Sequence, residues 1–153
     1  MIKLQCHSHK IYEVTDEMMD SEILMSQILV IDDSEFDRRM ITRAMKHADK
    51  NLTFFELARG ENVIDTMRLV KPDVVLLDIR MPGIGGFEVL DRIKDDSSLG
   101  DCKIIMISGS CAETDKVKSK AGGAAAYYTK PNTKFAYETM AQEIHGLYLS
   151  TAA

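Results

Sequence analysis

At 153 residues, 45% hydrophobic and 28% charged, the chain can bury roughly 70% of the surface its unfolded form exposes, enough for one core without covalent staples. Its formal net charge of -5 argues against binding nucleic acid by itself, because that affinity comes mainly from Lys and Arg neutralising phosphates. Cys6, Cys102 and Cys111 lack metal-type spacing and fit free thiols in a reducing compartment. With no membrane-length apolar stretch and no basic-then-apolar leader in residues 1–26, the chain is expected in the cytoplasm and off the membrane.

Residues 1–26 carry Met18, Met19, Ile23 and Leu24 on a loosely amphipathic stretch, and the tetrad Cys6-His7-Ser8-His9. A disordered or loosely docked extension is expected here in preference to metal binding by the tetrad, since no second cluster pairs with it. The apolar run Ile28-Leu29-Val30-Ile31 then reads as a buried strand that ends in Asp32-Asp33. From Ser34 to Ala48, Phe36, Met40, Ala44 and Ala48 recur every four residues and predict a helix with those side chains inward. Leu52 to Leu57 predicts a strand, Gly60 to Val70 a helix, and Pro72 a break. Asp73-Val74-Val75-Leu76-Leu77 follows as a second buried strand, ending at Asp78 before the turn Ile79-Arg80-Met81-Pro82-Gly83.

Gly85 to Asp96 is helical by the spacing of Phe87, Leu90 and Ile93, and Lys103 to Ser108 is a third buried strand. Ser110-Cys111-Ala112-Glu113 has the S-x-x-E form of a capping box opening the next helix, whose Lys116, Lys118 and Lys120 predict a solvated face. Ala126 to Thr129 is a short last strand. The final helix runs from about Thr133 to Leu149 with Ala136, Met140, Ile144 and Leu147 inward.

Five strands each followed by a helix imply a doubly wound α/β domain: a parallel sheet covered on both faces by five helices, with right-handed crossovers. Such sheets bind ligands outside the carboxyl ends of their strands. Asp32, Asp33, Asp78, Ser108 and Lys130 all fall at such ends. If the first and third strands pair, three carboxylates meet. Two such charges about 4 Å apart repel by roughly 4 kcal/mol at an effective dielectric of about 20, so a cation is needed.

Asp32-Asp33, the segment Asp78-Ile79-Arg80-Met81-Pro82-Gly83 with Gly86 beyond it, Ile107-Ser108-Gly109 and Lys130-Pro131 together resemble the receiver domain of bacterial two-component response regulators. The resemblance spans residues 27–149, leaving 1–26 as the extension and 150–153 as a tail. It implies a flavodoxin-like, CheY-like sheet in order 2-1-3-4-5, a divalent metal, and an aspartate, Asp78, that accepts a phosphoryl group from a sensor histidine kinase or phosphotransfer protein. By the same resemblance Asp33 and Asp78 bind Mg²⁺ directly, the backbone carbonyl of Arg80 supplies a further ligand, and Asp32 acts through water. Lys130 then neutralises a phosphoryl oxygen, in keeping with phosphoryl transfer by positioning and charge stabilisation. A phosphorylated Asp78 carries roughly -1.5 to -2 charge, and Ser108 is placed to donate to it. Tyr127, three residues before the lysine, would fill the space Ser108 vacates, whereas Tyr128 points to the opposite face.

Several positions leave alternatives open. Arg80 either holds the phosphoryl group, obstructs attacking water, or is a solvated surface arginine. Ser110 favours a structural role. Asn132 stands where many family members carry Phe, which argues against the DNA-binding subfamilies. A haloacid-dehalogenase-like phosphatase would need a second Asp where Arg80 stands; a flavin carrier would need a first loop that attracts phosphate, and Asp32-Asp33-Ser34-Glu35 repels it. No G-x-G-x-x-G follows the first strand, so a dinucleotide site is disfavoured. A receiver-fold scaffold acting without phosphorylation stands as the alternative. The expected module is a switch with slow self-catalysed chemistry and not an ordinary enzyme. It acts through its fourth and fifth helices on an effector protein, or on an output domain that has been removed.

Overall fold

A computed structural model describes residues 3–5, 11–13 and 25–150. Among the described residues seven strands form one sheet: β1 (Lys3–Gln5), β2 (Ile11–Glu13), β3 (Gln27–Ile31), β4 (Thr53–Leu57), β5 (Val74–Leu77), β6 (Lys103–Ser108) and β7 (Ala126–Thr129). Their order is β2-β1-β4-β3-β5-β6-β7. The five strands β4-β3-β5-β6-β7 pair in parallel, which is the expected order 2-1-3-4-5. The two N-terminal strands were not anticipated. They pair antiparallel with each other, and β1 joins β4 with Gln5 opposite Glu56. The tetrad at residues 6–9 and the amphipathic stretch carrying Met18, Met19, Ile23 and Leu24 lie outside the described residues.

Helices α1 (Glu35–Ala48), α2 (Val63–Val70), α3 (Gly86–Lys94), α4 (Glu113–Ala121) and α5 (Lys134–Ile144) flank the sheet. Alternate residues of each central strand feed opposite faces. Ile28, Val30, Val74, Leu76, Ile105 and Ile107 pack under α1 and α5; Leu29, Ile31, Val75, Leu77, Ile104 and Met106 pack under α2 and α3. Because the chain is buried on both sides there, the strands read as continuous apolar runs and not as alternation.

Three local expectations are corrected. Phe36 is 68% exposed, and α1 instead buries Ile41, Thr42, Ala44 and Met45. A four-residue spacing overshoots the 3.6-residue turn by about 40° each step, so Phe36 and Ala48 sit about 120° apart. At the other end Leu147 is exposed and Leu149 is buried. There the chain leaves α5 through a wider turn, His145–Leu149, with Ser150 N–H donating to the His145 carbonyl, and the extra residue per turn moves the inward position. The capping box does not form: α4 begins after Ala112, and the Ser110 hydroxyl accepts from Ala112 N–H at 3.2 Å, closing a turn ahead of the helix.

α4 is anchored lightly. Its only buried residue is Ser119, and Lys116, Lys118 and Lys120 are exposed as expected, Lys118 lying 4.3 Å from the Phe87 ring centre. Elements with so little buried apolar surface open at low cost.

Candidate functional site

The carboxyl ends of β3 and β5 lie side by side because Ile28 to Ile31 run in register with Val74 to Leu77. The ladder continues one step beyond the strands: Asp78 N–H donates to the Ile31 carbonyl at 2.8 Å, and Asp32 N–H to the Leu57 carbonyl at 3.1 Å. Carboxylate oxygens of Asp32, Asp33 and Asp78 consequently fall within 4.8 Å of one another. Asp32 and Asp78 are buried, at 1% and 4% exposed, while Asp33 faces solvent.

Glycine keeps the loop after Asp78 tight. A Cβ at Gly86 would lie 2.1 Å from the Asp78 carbonyl oxygen, so only a residue without a side chain lets the start of α3 approach the strand end this closely. Gly83, at φ +75°, makes the turn between them.

Lys130 arrives from the end of β7, whose Thr129 is opposite Ser108, and its N–H donates to the Ser108 carbonyl at 2.7 Å. Its ammonium lies 2.7 Å from Asp32 Oδ2, 2.9 Å from Asp37 Oδ2 and 3.6 Å from Asp78 Oδ2. Burial works against that charge, yet hydrogen bonds to Asp32 and Asp37 and the attraction of Asp32 and Asp78 hold its pKa above the ordinary lysine value. The acids feel the converse. Burial, reinforced by the neighbouring Asp32 charge, pushes the Asp78 carboxyl up to about 6, against the pull of Lys130 and the Arg80 N–H. Asp32 is raised for the same first reason, burial. At pH 7 Asp78 is still mostly ionised, and one ammonium lies within 3.6 Å of three carboxylates.

This donor set fits a hard divalent cation. The oxygens are all carboxylate, and Lys130, 2.7 Å from Asp32 Oδ2, is the one ammonium set among them. Oxygen ligands with uncompensated charge suit Mg²⁺ or Mn²⁺ in preference to the softer metals.

Ser108 is fully buried at the end of β6, and its Oγ accepts from Ser110 N–H at 3.2 Å. Tyr127 is half-buried on the α2/α3 side of the sheet, its hydroxyl donating to the Ser110 carbonyl at 2.6 Å; Tyr128 packs on the other side. The Arg80 side chain is 74% exposed and reaches outward to Asp115 at 3.5 Å.

Asp37 is the site residue that the sequence did not yield. It stands in the first turn of α1, its N–H bonded to the Ser34 Oγ cap at 3.2 Å, and its second oxygen accepts from the Tyr137 hydroxyl at 3.4 Å. Beneath it, Arg38 donates to the Asp32 carbonyl at 2.6 Å, and Thr42 donates to Glu56 at 3.1 Å.

The family model for the response regulator receiver domain matches residues 28–142. Protein PilH of Pseudomonas aeruginosa is 36% identical over 108 residues, which cover 70% of this chain and 87% of PilH. Response regulator GacA of Pseudomonas viridiflava is 34% identical over 106 residues, 69% of this chain and 49% of GacA. The chain thus spans most of the first relative and about half of the second. Among solved structures, the phosphorylated cyanobacterial phytochrome response regulator RcpA superposes with a TM-score of 0.76 at 26% identity, covering 84% of this chain and 97% of RcpA. The Mn²⁺-bound form of response regulator Rcp1 superposes with a TM-score of 0.71 at 25% identity, over the same shares of the two chains.

Proposed function

We propose that this chain, which belongs to the response regulator receiver domain family, accepts a phosphoryl group on Asp78 from a sensor histidine kinase or phosphotransfer protein. The observation that carries this is the setting of Asp78: buried to 4% exposure at a strand end, its carboxylate within 4.8 Å of those of Asp32 and Asp33, with Lys130 at 3.6 Å. A receiver is a signalling domain and not an enzyme in the ordinary sense. The carboxylate of Asp78 attacks phosphorus, the bond to the donor nitrogen or oxygen breaks, and the leaving group departs with its electron pair.

Asp33 and Asp78 directly, Asp32 through water and the backbone carbonyl of Arg80 are the proposed holders of Mg²⁺. When bound, Mg²⁺ supplies charge neutralisation for the carboxylates and the incoming phosphoryl oxygens. The Mn²⁺-bound form of Rcp1 and the phosphorylated state of RcpA, both similar chains, support this assignment. Lys130 stabilises the transferring group from the opposite side. Ser108 then donates to a phosphoryl oxygen, which draws the loop of Gly109 and Ser110 inward. Because Tyr127 is bonded to the Ser110 carbonyl at 2.6 Å, that movement pulls on Tyr127 and, through it, on the face made by α4, β7 and α5. The light anchoring of α4 supports its part in the switch.

We place the receiver at residues 27–149, with 1–26 as an extension and 150–153 as a tail, working in the cytoplasm. Among the described residues no helix is long and apolar enough to cross a membrane. Its target is an effector protein or a further domain. Incubation with acetyl phosphate and Mg²⁺, followed by intact mass, tests the proposal. One phosphoryl group should add to wild type, and none to Asp78→Ala or in the presence of chelator. Absence of uptake by wild type would favour a scaffold, and rapid turnover of unrelated phosphate esters a phosphatase.

A further inference from the structure

Lys130 divides its ammonium unequally. It is closest to Asp32 at 2.7 Å and Asp37 at 2.9 Å, and most distant, at 3.6 Å, from the proposed acceptor Asp78. Asp37 belongs to a different element from the other acids, and it is not one of the three carboxylates that converge. One of its oxygens accepts from Lys130; the other accepts from the hydroxyl of Tyr137, one turn into α5 and 3% exposed. At 3.4 Å that second bond is longer than an ordinary O–H···O bond, so a carboxylate already committed to the ammonium holds the phenol loosely. The arrangement is a chain of side chains running from the acceptor to the core of α5 without passing through Ser108 or Tyr127.

We propose that Asp37 is a positioning residue that holds Lys130 back from Asp78 and reports phosphorylation to α5 through Tyr137. The inference rests on the phosphoacceptor assignment above. Phosphorylation replaces one carboxylate charge with roughly -1.5 to -2 and three strong acceptor oxygens. Lys130 is drawn toward them and away from Asp37. Asp37 loses its nearest cation, and the Tyr137 hydroxyl becomes its principal hydrogen-bond donor. The Asp37–Tyr137 bond therefore tightens, and the first turn of α5, capped by Thr133 through Ala136 N–H at 3.1 Å, is pulled toward α1. Asp37 touches neither phosphorus nor the departing group. Its effect on rate comes through Lys130 alone.

The test uses the full chain labelled at the tyrosine ζ-carbon, with the Tyr137 resonance identified by Tyr137→Phe. Acetyl phosphate and Mg²⁺ are added while intact mass records the phosphoryl group. In wild type the Tyr137 resonance should move as the mass increases. In Asp37→Asn it should stay fixed although the phosphoryl group is taken up, and uptake should be on the order of threefold faster, because Lys130 is free to approach Asp78. Glu35→Gln removes a charge from the same helical turn without touching Lys130, and should be phosphorylated at the wild-type rate. Tyr137→Phe keeps the packed ring and keeps uptake, but α5 amide resonances should respond less to it. Uptake by wild type with a stationary Tyr137 resonance overturns the coupling and leaves the phosphoacceptor assignment standing. Equal acceleration by Glu35→Gln overturns the positioning role, reducing it to general charge. No uptake by wild type overturns both.

Discussion

Replacing Asp78 with Asn should make the metal-free protein more stable, and the size of the gain follows from the site. Burial and the neighbouring charge of Asp32 push the folded-state carboxyl from its ordinary 3.8 up to about 6. At about 1.4 kcal/mol per pH unit, that distance is worth roughly 3 kcal/mol. The sign follows from proton linkage. An acid weaker in the folded than in the unfolded chain binds protons preferentially when folded. Its contribution to instability is therefore absent below about pH 4, grows as pH rises toward 6, and is complete at pH 7. Asp78→Asn removes the ionisable group, so at pH 7 it should gain about 1–3 kcal/mol, or a Tm higher by about 3–10 °C for a domain of this length. Urea unfolding of both proteins from pH 5 to 8, with and without Mg²⁺, measures this. The difference should shrink toward pH 5. Mg²⁺, which relieves the same repulsion, should stabilise wild type more than the variant at pH 7. A variant less stable than wild type, by an amount independent of pH, would refute the electrostatic account of the site.

Three further outcomes follow from named contacts. Lys130→Met removes the ammonium shared by Asp32, Asp37 and Asp78 and should destabilise the fold by roughly 3 kcal/mol, with Mg²⁺ restoring part of the loss in urea unfolding. Gly86→Ala forces a Cβ to within 2.1 Å of the Asp78 carbonyl oxygen; the shift it demands should cost about 2–3 kcal/mol and lower Tm, with slower phosphoryl uptake because the acceptor loop moves. Tyr127→Phe loses the 2.6 Å bond to the Ser110 carbonyl and should cost about 1 kcal/mol, seen as faster amide exchange in residues 109–112.

The elements that place Asp78 were legible because their punctuation is strong. Pro72 and Pro82-Gly83 bracket one apolar run, Asp32-Asp33 close another, and continuous burial on both faces leaves only one architecture for such strands. Periodicity failed where phase mattered. Phe36 matched a four-residue count that drifts around α1, and Leu147 was counted through a turn that takes an extra residue. The Ser110 pattern named a cap that the backbone does not use, since the loop stays out of the helix until Ala112. Asp37 was invisible for a different reason. An acidic residue in a first helical turn complements the helix dipole, so it carried no sign that a lysine 93 residues away and a buried tyrosine 100 away would share it. The strands at residues 3–5 and 11–13 lacked the long apolar runs that revealed the central ones.

The most direct measurement of the central claim is where the phosphoryl group lands. Trypsin should release Leu69–Arg80 intact, since the Lys71-Pro72 bond resists it, and this peptide contains two acids, Asp73 and Asp78. Tandem mass spectrometry of the acetyl phosphate-treated, Mg²⁺-loaded protein should locate the added mass on Asp78 alone. The same mass on Asp73, on another peptide, or spread over several acids would contradict the assignment.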